Sequence, residues 1–195
     1  MNKTLANRLV ALAAHDLETR ERLAEDGSLF DGYHHEMQAV HESNAGELDT
    51  IIAEIGWPTP QQAGDDGAEA AWLIAQHAIG LPHFQRKCFE LLKAAVAAGN
   101  APAWQMAMMH DRILTYEGRP QVYGTQFDWD DSGQLSPRPI EDPDGVDQRR
   151  TEIGLEPLEA AITKHRAQSA AQPRPSDLAE RQRIMDEWAH LVGWR

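Results

Sequence analysis

Apolar positions recur at three- and four-residue spacing from the N-terminus, and that rhythm predicts a helix from about Lys3 to Glu25. Leu5, Leu9, Leu12, Asp16 and Arg20 share one of its faces, so an acid and a base extend an apolar stripe. If that face is buried the two must be paired, because an isolated buried charge is too costly. Otherwise they form a surface i,i+4 pair at the stripe's wet margin. Asp26-Gly27-Ser28 and Asp31-Gly32 interrupt the pattern, and a second helix is expected over about Tyr33 to Ile55. On it His34, Met37, His41, Asn44, Leu48 and Ile51 or Ile52 lie on one face. Gly56-Trp57-Pro58 should end it, since glycine suits the C-terminal cap and proline cannot continue a helix.

Asp66 with Glu69 three positions on resembles a capping box, so a third helix is expected over about Gly67 to Ile79. In it His77 follows Leu73 and Ile74 at helical spacing and should face the core beside Gln76. Gly80-Leu81-Pro82 leads into a fourth helix, about His83 to Ala98, and Pro102 suits the first turn of a fifth, about Ala103 to Tyr116. Trp104, Met106, Met108 and Met109 read there as adaptable core packing. The period then shifts. Residues 121–129 and 134–140, separated by Asp130-Asp131-Ser132-Gly133, read as a hairpin whose second arm Pro137 and Pro139 confine to an edge. A short helix with Arg149 and Arg150 closes at Gly154, another spans Leu155 to about Gln168, and residues 169–175 read as a linker. Ser176 then caps an amphipathic helix carrying Leu178, Ile184, Met185, Trp188 and Leu191, which docks on the body or serves a partner. The expected fold is mainly α: a helical bundle with a small β-hairpin appended, one domain over residues 1–168 followed by linker and last helix.

Composition bounds the function without naming it. The 195 residues, 42% hydrophobic and 25% charged, are those of a globular domain able to bury a core. A formal charge of −13 with no basic stripe argues against nucleic acid as a partner. No apolar run approaches a membrane span, and Asp16 and Glu18 follow the first apolar stretch too soon for a secretory signal. A cytoplasmic location is expected. The single cysteine, Cys88, excludes an intrachain disulfide and a multi-cysteine zinc site, and its helical spacing from Phe84, Leu91 and Leu92 makes it a buried structural thiol.

Candidate chemistry collects in a few places. Met108 to Gln126 runs from a helix carrying Asp111 and Arg112, through Glu117-Gly118-Arg119-Pro120, into Gln121-Val122-Tyr123-Gly124-Thr125-Gln126. These are orienting, hydrogen-bonding groups with no activated nucleophile among them. His34 and His41 stand two turns apart, and the HExxH spacing of zinc proteases is absent. His41 and Asn44 are expected to hydrogen-bond inside a helix interface or to line a pocket. Serine-hydrolase, P-loop and dinucleotide-binding fingerprints are also absent.

The ordered set Gly56-Trp57-Pro58, the stretch from Trp72 to Ala78 that reads WLIAQHA, Phe84-Gln85, Asp111-Arg112, Gln121-x-Tyr123-Gly124-Thr125-Gln126, Ile140-Glu141-Asp142-Pro143, Arg149-Arg150 and Gly154-Leu155 resembles a bacterial domain family of unknown function, common in actinobacteria. The resemblance covers about Leu5 to Leu158, and Asp16, Arg20 and Asn44 also match its pattern. Many members carry Asp where this chain has Ile79. The resemblance supports a site without implying an activity.

The leading expectation is an enzyme acting on a small molecule or peptide. His77 would be its acid or base, Asp111 the group that orients His77 or a partner base, and Arg112 the anchor for an anionic group. Gln76, Gln121, Tyr123, Gln126, His41 and Asn44 would contact substrate, in a pocket where the second, third and fifth helices meet residues 121–126. No metal is assigned and the cofactor and oligomeric state are left open. The alternative is a non-catalytic ligand-binding or protein-interaction module. A third reading is a metal-dependent hydrolase using His34, His41, His77 or His110 with Asp111.

Overall fold

A computed structural model describes residues 2–25, 27–30, 32–169 and 177–195 of the chain. Among these are eight α-helices and one two-stranded antiparallel sheet, so the fold is mainly α with an appended hairpin. No described helix is long and apolar enough to cross a membrane. The chain divides into two compact units, residues 1–102 and 103–195.

The first unit is a helical bundle of α1 (Lys3–Glu25), α2 (His35–Ile55), α3 (Pro60–His77) and α4 (Pro82–Ala97), with a single 3-10 turn over Ser28–Phe30. Helix α1 packs along α3 and against α2, and α3 also meets α2 and α4. Its core is built from Leu9, Met37, Leu48, Ile51, Ala71, Ile74, Cys88 and Leu92. On α1 the buried face is Leu9, Ala13, Asp16, Thr19 and Leu23, so the predicted stripe drifts by one position along the helix. Asp16 stays inside the bundle while Arg20 is exposed, and the i,i+4 pair considered for them does not form.

Helix α2 starts two residues later than expected, because His34 takes an extended conformation and its Nδ1 accepts the Glu36 N–H as an N-cap. Gly56, at φ 75°, ends it as predicted. The expected Asp66–Glu69 cap is not used. Helix α3 begins at Pro60, where Gln62 Oε1 accepts both the backbone N–H and the hydroxyl of Thr59 at 3.0 Å. Gln62 Nε2 also reaches Ile55 O, tying the start of α3 to the end of α2. A kink at Gly64, φ 73°, then redirects α3, with Asp66 inside it. At its other end α3 stops at His77, two residues early, since Ala78 leaves helical geometry and Gln85 Nε2 takes the carbonyls of Ala75 and Gln76 at 2.8 and 3.0 Å.

The second unit holds α5 (Ala103–Tyr116), β1 (Phe127–Trp129), β2 (Leu135–Pro137), α6 (Val146–Glu152), α7 (Leu158–Ser169) and α8 (Leu178–Val192). The hairpin pairs Phe127 with Pro137, Asp128 with Ser136 and Trp129 with Leu135, far shorter than the predicted arms. Asp130 shapes its turn by accepting from Ser132, Gln134 and Ser136. Helix α7 begins after Pro157 instead of at Leu155. Asp177 caps α8 by accepting the Glu180 N–H; Ser176, the predicted cap, and the predicted linker beyond Ser169 lie outside the described residues. Trp188 and Trp194 meet Tyr116 with ring centroids 5.5 and 5.4 Å away, and Arg181 joins Arg138 on Asp128. Leu191, expected on the apolar face, is 85% exposed.

Candidate functional site

Asp16 is a fully buried carboxylate on a helix that otherwise presents apolar atoms to the bundle, and such a group needs partners. It finds two imidazoles from two other helices. His77, at the last position of α3, has Nδ1 3.0 and 3.1 Å from the two Asp16 oxygens. His41, from the middle of α2, has Nε2 3.3 Å from Asp16 Oδ2. That second approach is the longer one, and His41 Nε2 is buried beside the carboxylate without a well-formed hydrogen bond. The imidazole centroids stand 5.5 Å apart. Burial raises the Asp16 pKa, but the two histidines outweigh it and hold the carboxyl well below the usual aspartate range. Ligand atoms of Asp16, His41 and His77 all lie within 4.8 Å of one another.

Outer contacts hold this cluster. Tyr33 Oη is 2.8 Å from His41 Nδ1, with its ring stacked on the imidazole at 5.7 Å. Asn44, one turn beyond His41, donates from Nδ2 to Leu12 O at 3.0 Å and ties α2 to α1. Gln85 fixes where α3 stops, and therefore where His77 sits. Gln76 beside it is buried.

Asp111, Arg112, Gln121, Tyr123 and Gln126 belong to the second unit, where they build a different constellation. Asp111, also fully buried, accepts the N–H groups of Val122, Tyr123 and Thr125 at 2.8, 3.1 and 3.0 Å and the Thr125 hydroxyl at 2.9 Å. The carbonyls go to arginines: Arg149 Nε donates to Val122 O, and Arg150 Nη1 to Tyr123 O and Gly124 O. Gln121 Nε2 donates to the carbonyls of Gln126 and Arg138, while its Oε1 accepts the Gln126 N–H. Arg112 Nε donates to Gln126 Oε1 at 3.2 Å. Gly124 has φ 67°, and a Cβ there would stand 2.9 Å from Leu158 Cδ1. The glycine is thus required by turn geometry and by the side chain packed on it. The Tyr123 phenol is half-buried, and burial raises its pKa.

The remaining histidines of the metal reading have other settings: His34 caps α2, and His110 lies on α5 of the second unit. Sequence reasoning gave no role here to Tyr33 or Gln85, and the partner it weighed for Asp16 was Arg20. The available signal was Asp16 itself. A carboxylate in an apolar stripe has to meet whatever polar groups other apolar faces carry, and His34, His41 and His77 were the imidazoles placed on such faces, of which His41 and His77 meet it.

Neither the curated proteins nor the solved structures contain a match to the chain. A family model does match residues 3–169, a span that takes in both constellations. The chain belongs to that family, a family of unknown function (DUF6624).

Proposed function

We propose that the protein holds one transition-metal ion on Asp16, His41 and His77 and uses it in metal-assisted hydrolysis of a small molecule or peptide. One observation carries the reading: a carboxylate and two imidazoles from three helices converge in a buried setting, with ligand atoms within 4.8 Å of one another. Bonds of about 2.1 Å to nitrogen and oxygen place neighbouring donors roughly 3.0–3.4 Å apart at octahedral to tetrahedral angles. The distances from Asp16 oxygens to His77 Nδ1 and His41 Nε2 are 3.0 and 3.3 Å. The lowered pKa of Asp16 keeps it anionic, as a ligand must be. Three protein ligands leave coordination positions for water and substrate, as in catalytic zinc sites, and two histidines with one carboxylate also suit non-haem iron(II). A cation there would polarise a substrate oxygen or acidify a bound water. Asp16 takes the place given to Asp111 in the metal reading of the sequence. Asp111, Arg112, Gln121 and Gln126 then serve to hold residues 121–126.

A second reading keeps His77 as a metal-free acid or base, with Asp16 as its orienting carboxylate. It draws on the contact of His77 Nδ1 with both Asp16 oxygens, at 3.0 and 3.1 Å: Nδ1–H would donate to the carboxylate, and Nε2 would be the nitrogen that takes up and releases the proton. Metal content of untagged full-length protein, followed by Co(II) titration, separates the two. About one metal per chain, lost in His41→Ala and in Asp16→Ala, supports the metal centre. Protein that retains no metal and binds Co(II) without stoichiometry overturns it in favour of acid–base chemistry.

A further inference from the structure

We infer that Tyr33 is a positioning residue of this centre: its hydroxyl accepts the His41 Nδ1 proton when metal is bound and so leaves Nε2 as the metal donor. The inference rests on the metal reading above. An imidazole binds metal through an unprotonated nitrogen, and ligating histidines almost always donate their other ring N–H to a nearby acceptor. Tyr33 Oη, 2.8 Å from His41 Nδ1, is in place to be that acceptor. With Nδ1–H donating to Oη, the Nε2 lone pair faces the Asp16 carboxylate from 3.3 Å. Two electron-rich atoms at that separation repel each other until a cation lies between them.

The opposite arrangement also fits. Phenolic O–H is both donor and acceptor, so Oη–H can donate to Nδ1 while Nε2–H turns to Asp16. A hydroxyl partner therefore lets His41 exchange tautomers while keeping the Tyr33 hydrogen bond. A carbonyl or carboxylate in its place would accept only. Tyr33 precedes α2 and is held by packing: its ring stacks on His41 at 25° and lies against Gly80, where a Cβ would stand 3.3 Å from Cε1 and 3.6 Å from Oη. Gly80 is three residues past His77, so the segment that ends α3 also backs the Tyr33 ring.

The test is Co(II) titration of the full chain as wild type, Tyr33→Phe and Gly80→Ala, with the metal-free melting temperature of each recorded. Loss of an outer partner of this kind weakens metal binding about ten- to a hundredfold. Tyr33→Phe should show such a loss. Gly80→Ala, which keeps the hydroxyl but crowds the ring, should show a smaller one. In metal-loaded wild type, ¹⁵N NMR should place the His41 proton on Nδ1. Equal Co(II) affinity in wild type and Tyr33→Phe, or a His41 proton on Nε2 of the loaded protein, overturns the inference and leaves the metal centre standing. Should Tyr33→Phe fail to fold, unchanged affinity in Gly80→Ala overturns it. Wild type that binds no stoichiometric Co(II) overturns the metal centre and the inference together.

Discussion

Replacing Asp111 by alanine separates an anchoring role from a reactive one. Its carboxylate is fully buried and accepts from four donors: the N–H groups of Val122, Tyr123 and Thr125 and the Thr125 hydroxyl. Truncation leaves these donors without their acceptor in a part-buried loop. A buried donor so orphaned costs about 1–3 kcal/mol, and four at the lower end give roughly 4 kcal/mol. That is among the largest losses single substitutions cause. Asp111→Asn, which keeps one oxygen, should lose less. Hydrogen exchange of the full chain provides the assay, read at the amides of Val122, Tyr123 and Thr125. Asp111→Ala should lose protection there, while Co(II) binding by Asp16, His41 and His77 persists. Unchanged exchange and denaturant stability, together with abolished turnover, would refute the anchoring argument and make Asp111 a reactive group.

Two more predictions concern buried ionisable groups. Asp16 has its folded-state pKa depressed by His41 and His77 against the upward push of burial. Below the ordinary aspartate value of about 3.9, the unfolded chain therefore takes up the proton first. The stabilisation is present above that value and is lost as pH falls through the folded one. Wild type should lose stability between about pH 5 and pH 2 more steeply than Asp16→Asn; parallel denaturation curves for the two would contradict this. Cys88 is wholly buried, and desolvation pushes its thiol up to about 12. At pH 8 about one part in ten thousand is thiolate, so a thiol reagent should label it only after denaturation. Rapid labelling of native protein would show that Cys88 is accessible.

Much of the architecture was legible because helices announce themselves by period and by punctuation. Lys3–Glu25 and Ala103–Tyr116 stand where the apolar rhythm places them, and Gly56 ends α2 as its type demands. Two of the misplaced boundaries have one kind of cause: a side chain competing with the backbone for hydrogen bonds. Gln62 captures Thr59 and moves the start of α3 forward to Pro60. Asp111 draws the N–H groups of Val122, Tyr123 and Thr125 out of any ladder, so β1 begins only at Phe127. The Asp111 captures span 11 to 14 positions and the Gln62 contact only 3, but both depend on side-chain geometry that a pattern of apolar and polar residues does not encode. The partner of Asp16 was hidden for the same reason. Its histidines stand 25 and 61 positions away in sequence, on helices whose packing had first to be known.

The protein contains two buried constellations centred on a carboxylate, and they differ in how completely their polar atoms are satisfied. Around Asp111, the N–H groups of Val122, Tyr123 and Thr125 meet the carboxylate, and the carbonyls of Val122, Tyr123 and Gly124 meet Arg149 and Arg150. A network closed in this way specifies a conformation and rigidifies it. Around Asp16, a buried imidazole nitrogen is aimed at the carboxylate without a well-formed hydrogen bond. Such an atom costs stability, and a hydrophobic residue at position 41 would remove that cost. On the metal reading proposed above, a cation between Nε2 and the carboxylate would offset that cost, with the Tyr33 hydroxyl on Nδ1. On that reading the second unit's polar signature serves the conformation of residues 121–126, and the first unit's serves the proposed ion.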